Sequence, residues 1–196
     1  MKAILNAYEY LSSGGIIMIP IIFCSLWMWW LISQRLFYFR YLNKNDLNLH
    51  QAMEMLRNEY EPKNRKGLCA GILIEFISKQ TKNKKLNQSI LGLCIMKKRP
   101  FIRRSITTIA VLAAVAPLLG LLGTVTGMMS TFDSISLFGT GNPKAMAGGI
   151  SVAMITTQSG LLAAIPGLFM SSFLSRRANS MENRLDELAL MISRSF

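Results

Sequence analysis

The side chains most able to do chemistry in this 196-residue sequence are neutral hydroxyl and amide groups within long apolar stretches. Thr124 and Thr131 are seven residues apart, a spacing that places both on one face of a helix. Thr157 and Gln158 lie in another such stretch. These groups can line a water-compatible path without carrying charge, but Thr also commonly bonds a carbonyl one turn back and does nothing else. Gln158 is the least easily dismissed, because an amide in hydrocarbon needs a partner or water.

The stretches that hold these groups have no Asp, Glu, Lys, Arg or His. They are the windows Tyr10–Gln34, Ser105–Phe132 and Ala145–Ser175. Each exceeds the roughly 20 residues that a helix needs to cross a bilayer. A soluble domain distributes charge over all its surface helices, so the pattern excludes an ordinary soluble enzyme and predicts an all-α protein with three transmembrane helices. Proton pathways usually contain an ionisable residue within the membrane. The three windows contain none, so this chain alone has no group there that could bind and release a proton.

The distribution of basic residues predicts the orientation of the spans. Residues 35–104 contain 16 Lys and Arg against five Asp and Glu, and the tail after Ser175 is also basic. By the positive-inside rule both segments are cytoplasmic and the N-terminus is outside. We therefore divide the chain into an N-terminal segment with span one (1–34), a cytoplasmic helical region (35–104), spans two and three (105–175) and a cytoplasmic C-terminal helix (176–196).

Apolar spacing predicts helices in both cytoplasmic parts. Three short helices are expected around 47–60, 68–78 and 86–96, with Pro100 bending or restarting the chain before span two. In the tail, one stripe at helical spacing predicts a packed face. It comprises Met181, Leu185, Leu188 and Ile192.

Small residues recur at helical spacing in spans two and three. Lipid tails are as apolar as leucine, so membrane helices associate through close backbone approach at such positions. One seam comprises Gly120, Gly123 and Gly127, and the other Ala153, Thr157, Gly160 and Ala164. Pro117 and Pro166 each remove a backbone hydrogen bond and permit a kink. We expect these spans to form a tightly packed bundle, with the two seams packing across subunits.

Other functions find little support in the sequence. The net charge of +12 is accounted for by topology and by attraction to anionic phospholipid, and no nucleic-acid-binding motif accompanies it. Cys24, Cys69 and Cys94 lack CxxC spacing and are expected to be free thiols. His50 is the only histidine. We therefore expect no metal, no cofactor and no enzymatic activity.

Two long motifs resemble the ExbB/TolQ/MotA proton-channel family. They are APLLGLLGTVTG (residues 116–127) and GGISVAMITTQSGLLAAIPG (148–167), and the opening GGIIMIP is similar too. The three spans and the segment 131–149 look most like ExbB-type proteins of TonB systems. Val152 and Gln34 stand where many relatives have glutamate, which puts in doubt an acidic relay from this subunit.

The resemblance implies an inner-membrane proton motor. A homo-oligomer, a pentamer, would surround an ExbD/TolR-like single-span subunit whose membrane aspartate carries the proton, and a TonB-like protein would receive the work. Thr124 and Thr157 fall on the family's pore threonines, with Thr131 and Gln158 as secondary polar groups. Two alternatives stay open: a stator for envelope maintenance or motility, and a non-conducting membrane scaffold.

Overall fold

The computed structural model describes residues 14–44, 67–81, 83–139 and 143–195, and every regular element in these ranges is a helix. The helices are α1 (Met18–Lys44), α2 (Leu68–Ile77), α3 (Lys84–Arg103), α4 (Ile106–Phe138) and α5 (Pro143–Ser195). Three stretches are long and apolar enough to cross a membrane, namely Met18–Leu42, Lys84–Phe138 and Met146–Ser193. The predicted all-α fold with three membrane-spanning helices is confirmed.

The structure shows where several helices begin and end relative to the bounds expected from the sequence. The helix expected around 47–60, with His50, lies outside the described residues. The chain does not break at Pro100, which lies inside α3; the break comes at Arg104 and Ser105. The expected boundary between 175 and 176 falls within α5, so the basic tail continues the helix of span three. Its predicted stripe is buried, with Met181 the most exposed of the four residues at 7%.

Among the described residues, the first of two compact units comprises 14–32, 107–139 and 143–172. Its buried side chains come from all three spans and include Met28 of α1, Ala113 of α4 and Ala164 of α5. Gly167 of α5 lies directly against Met28, and a Cβ there would approach the Ala113 side chain to 2.9 Å. The absence of a side chain at Gly167 therefore lets α1 pack against the α4–α5 pair.

Among the described residues, the second unit comprises 33–44, 67–81, 83–106 and 173–195. Its larger buried side chains include Phe39, Phe76, Ile102, Leu185 and Leu188. Asn83 caps α3, its side-chain oxygen accepting from the Lys85 amide at 3.1 Å. The buried Asn87 exchanges two hydrogen bonds with the Thr81 backbone, of 2.7 and 2.8 Å, and so fixes the turn between α2 and α3.

An ion-pair cluster links α2 and α3. The Glu75 carboxylate accepts from Lys97 at 3.1 Å and from Lys79 at 3.2 Å. The hydrogen bonds from Lys97 and then Lys79 hold the pKa of Glu75 below its ordinary value. This cluster therefore stabilises the α2–α3 pair at neutral pH.

The break between α3 and α4 is held by an arginine from α1. Arg35 is only 6% exposed, and its guanidinium donates to the carbonyls of Phe101 (2.7 Å), Ile102 (3.3 Å) and Arg104 (2.5 Å). The last carbonyls of a helix lack intrahelical partners, so this cation satisfies an otherwise open end. Ser105 follows with a φ of 64°, a left-handed conformation that is strained for a residue with a Cβ.

The residues at the end of α4 and at the start of α5 are typical of helix ends. Gly139 has a φ of 69° and its amide donates to the Ile135 carbonyl at 2.8 Å, a left-handed glycine stop. Pro143 then occupies the first position of α5, where its missing N–H costs no helix bond. Only four residues of sequence separate the two helices that hold the candidate site.

Candidate functional site

Helices α4 and α5 run antiparallel with their backbones in contact. A Cβ at Gly160 would lie 2.7 Å from the Ala116 carbonyl oxygen and 3.2 Å from the Gly120 Cα. At Gly120 it would lie 3.0 Å from the Thr156 carbonyl oxygen. Only glycine permits this separation, because the obstructing atoms are backbone rather than flexible side chain.

A second close contact lies further along the same pair. A Cβ at Gly127 would meet the Gly149 carbonyl oxygen at 2.7 Å and the Ala153 side chain at 2.9 Å. Thr131 is 3% exposed, lies beside Gly149 and donates to the Gly127 carbonyl at 3.0 Å. The small-residue seams of spans two and three therefore face one another within this chain, whereas packing across subunits was expected. Thr131 belongs to this packing.

Between these contacts lies a threonine that sequence analysis did not single out. Thr156 is completely buried and lies against Gly123, where any added side chain would collide with it. Its hydroxyl donates to the carbonyls of Val152 (2.9 Å) and Ala153 (3.0 Å) on its own helix. Helical spacing of three or four residues admits either Thr156 or Thr157 to the seam, and the glycine opposite is the signal that favours Thr156.

Thr157 lies at the edge of the seam and is half-buried. Its hydroxyl lies 3.0 Å from the Ala153 carbonyl of α5 and 3.3 Å from the Gly120 carbonyl of α4. A hydroxyl has one proton to donate and two lone pairs to accept with. Donation to these carbonyls leaves the oxygen able to accept a hydrogen bond from water or from a protonated carboxyl group.

Thr124 has the same chemical capacity on α4. It is half-buried, and its hydroxyl donates to the Leu121 carbonyl at 2.7 Å. Gln158 is exposed on α5. Pro117 and Pro166 lie within α4 and α5, and Ala164 is buried at 2% exposure. The hydroxyls of Thr124 and Thr157 are thus acceptor sites of partial exposure, whereas Thr131 and Thr156 are committed to packing.

The charge at this site is as low as the sequence indicated. The window of each span contains no ionisable carboxylate, amine or imidazole. Within residues 14–44, 67–81, 83–139 and 143–195 no three His, Cys, Asp or Glu side chains group as metal ligands. The arrangement can hydrate or hydrogen-bond a titrating group, but it contains none of its own.

Comparison with known proteins identifies the family. Residues 48–187 match the MotA/TolQ/ExbB proton channel family. The chain belongs to this family. The match confirms the resemblance to this family, which is a family of channels and not of enzymes. The matched residues include α2, α3, α4 and most of α5.

Individual relatives match over shorter segments. The chain is 31% identical over 105 residues to the biopolymer transport protein exbB1 of Vibrio cholerae, which covers 53% of this chain and 46% of that protein. It is 34% identical over 84 residues to ExbB of Salmonella typhimurium, covering 43% and 34%. It is 32% identical over 108 residues to the Tol-Pal system protein TolQ of Haemophilus influenzae, covering 53% and 47%. The chain thus spans about half or less of these relatives' length.

Proposed function

We propose that this chain is an ExbB-like inner-membrane subunit of a motor driven by the proton-motive force, which energises TonB-dependent uptake at the outer membrane. The observation that carries this proposal is the half-buried Thr157, which lies at a close backbone contact between the charge-free windows of α4 and α5. Family membership and the similarity to ExbB proteins support the same assignment. In this proposal the N-terminus is periplasmic and the C-terminus cytoplasmic, as the basic residues predict.

The absence of any Asp or Glu from the three apolar windows argues for a partner subunit that supplies one. Thr124 and Thr157 can accept hydrogen bonds but cannot change charge at neutral pH. We infer that a single-span, ExbD/TolR-like subunit brings an aspartate into a pore formed by several copies of this chain, five in the proposed assembly. Large apolar side chains remain exposed on both helices, and they are available to lipid and to neighbouring copies. Examples are Leu118, Leu122, Leu162 and Phe169.

The two threonines would lower the cost of moving the partner's carboxyl group through an apolar layer. A protonated carboxyl donates to a hydroxyl oxygen, and a carboxylate is hydrated by water held at the same oxygen. One charge that crosses 100 mV releases about 2.3 kcal/mol. Repeated proton passages at this scale suffice to break and remake a few hydrogen bonds, and so to drive stepwise motion of the inner subunit.

The test replaces one hydroxyl with a methyl group of similar volume. Thr157→Val should abolish energy coupling while the complex still assembles, and Thr157→Ser should retain most of it. Thr126→Val is the matched control, because Thr126 is exposed on α4 and its hydroxyl contacts only the carbonyls of Leu122 and Gly123. Normal coupling in Thr157→Val would contradict the assigned role, and so would an equal loss of coupling in Thr126→Val.

A stator role in envelope maintenance or motility is the second candidate. The match to TolQ of Haemophilus influenzae is as long and as similar as the match to exbB1 of Vibrio cholerae. The two functions share the membrane chemistry and differ in the periplasmic protein that receives the work. Co-purification with a TonB-like protein favours nutrient uptake, whereas a peptidoglycan-binding partner favours the stator. A non-conducting scaffold predicts that Thr124→Val and Thr157→Val are both tolerated.

A further inference from the structure

Two charged residues at one end of the α4–α5 pair have no partner of opposite charge in their own chain. Asp133, near the end of α4, and Lys144, near the start of α5, are the only charged residues between the windows of spans two and three. Both are exposed, and neither makes an ion pair within the described part of the chain. One acid and one base are therefore available to a partner at this end of the pair.

The two charges lie at the same level along the helices. The antiparallel register of α4 and α5 is fixed by the backbone contact between Gly127 and Gly149. Asp133 lies six residues beyond Gly127, and Lys144 lies five residues before Gly149. At about 1.5 Å per residue, these steps bring the two residues to within about 2 Å of the same height.

Each charge lies on the side of its helix that faces away from the other helix. Lys144 is nine residues before the buried Ala153, or about 2.5 helical turns, which places it opposite the seam of α5. Asp133 is two residues after the buried Thr131, a rotation of about 200° around α4. The two side chains therefore diverge, which explains why they do not pair within one chain.

Exposed apolar side chains continue both outward sides along the helices, and each of them is at least half exposed. The α4 outer face comprises Leu118, Leu122, Met129 and Asp133, and the α5 outer face comprises Lys144, Met154, Leu162 and Phe169. Lipid tails can cover the apolar side chains equally well, so the two opposite charges favour a protein partner. The faces complement each other and not themselves, because two copies of one face would bring like charges together.

We propose that the α4 outer face of one copy packs against the α5 outer face of the next, with Asp133 of the first copy paired to Lys144 of the second. The two faces are different surfaces of one chain, so the contact is head-to-tail, and successive contacts generate a ring when the rotation closes. The proposal rests on the homo-oligomer of the proposed function and is independent of the proton pathway.

Exchange of the two charges tests the pairing. Asp133→Lys and Lys144→Asp each place like charges at every contact and should raise the apparent dissociation constant of the oligomer about tenfold. The doubly exchanged chain restores opposite charges and should return close to the native value. Glu187→Lys is the control, because Glu187 is exposed, makes no ion pair within the described residues and belongs to the second compact unit.

The measurement is dilution of each full-length variant in detergent, with the oligomers counted by native mass spectrometry. Low ionic strength is used because charges interact over a longer distance there. Circular dichroism first establishes that each variant keeps its helix content. Single variants as stable as the native oligomer, or a double variant as weak as either single one, would overturn the pairing.

Thiol cross-linking tests the head-to-tail arrangement separately. Asp133→Cys and Lys144→Cys chains are placed in membrane vesicles, mixed or apart, and treated with a short bismaleimide; the native chain, with its three cysteines, gives the background. We expect additional dimers only in the mixture. Dimers from Asp133→Cys alone would indicate a symmetric contact and overturn the arrangement. An oligomer without the cross-link would overturn this interface alone, whereas the absence of any oligomer would also contradict the assembly in the proposed function.

Discussion

The backbone contact between α4 and α5 predicts that Gly160→Ala destabilises the protein. The added Cβ would lie 2.7 Å from the Ala116 carbonyl oxygen, where ordinary van der Waals contact begins at 3.4 Å. The helices must therefore separate by about 0.7 Å at this point, and the neighbouring atoms are backbone that cannot rotate away. Overpacking of this kind costs about 1–3 kcal/mol. The same movement would lengthen the 3.3 Å contact from Thr157 to the Gly120 carbonyl beyond hydrogen-bond range.

Gly148→Ala is the matched control on the same helix. A Cβ at Gly148 meets no atom within 4 Å, so this substitution brings the helix-forming gain of alanine, about 0.5–1 kcal/mol, without a clash. We expect Gly148→Ala to be neutral or stabilising and Gly160→Ala to be destabilising by about 1–3 kcal/mol. Reversible unfolding of each purified variant in mixed detergent, followed by circular dichroism, measures the difference. Equal stability of the two variants would refute the close packing of this helix pair.

Two further predictions concern residues outside the candidate site. Arg35→Leu should destabilise the chain by about 1–3 kcal/mol, because it leaves buried carbonyls at the end of α3 without a donor; thermal unfolding against the exposed Arg40→Leu is the measurement, and equal losses would contradict it. The lowered pKa of Glu75 predicts a pH effect. Its contribution to stability is complete above the unfolded pKa of about 4.3 and is lost as the pH falls through the lower folded pKa. Glu75→Gln should remove that part of the pH dependence in unfolding curves, and an unchanged acid limb would refute it.

Composition and apolar spacing were sufficient for the fold but not for the details of the seam. Charge-free windows predicted the three spans, and the C-terminal stripe was correctly expected to be buried. The seam of span three was predicted through Thr157, yet Thr156 is the fully buried residue. Spacing alone could not decide, because positions three and four residues apart lie on nearly the same helical face. The choice depends on Gly123 of the facing helix, which is a tertiary contact.

Polar contacts between residues far apart along the chain could not be predicted from the sequence either. Arg35 lies 66 to 69 residues from the carbonyls that it caps, and no local pattern links them. The continuity of α5 was missed for a different reason. A change from apolar to charged residues after Ser175 marks a change of environment, whereas a helix ends only where its backbone bonds end. The charge pattern therefore predicts the edge of the apolar window and not the end of the helix.

The most direct test of the proposed function is proton flux into sealed vesicles that contain this chain, alone or with the proposed single-span partner. We expect flux only when the proposed partner is present. It should be lost when the partner's membrane aspartate becomes asparagine, and lost again in Thr157→Val of this chain. Assembly of both chains would be established beforehand by co-purification. Flux from this chain alone, or undiminished flux through an assembled complex with Thr157→Val, would contradict the central claim.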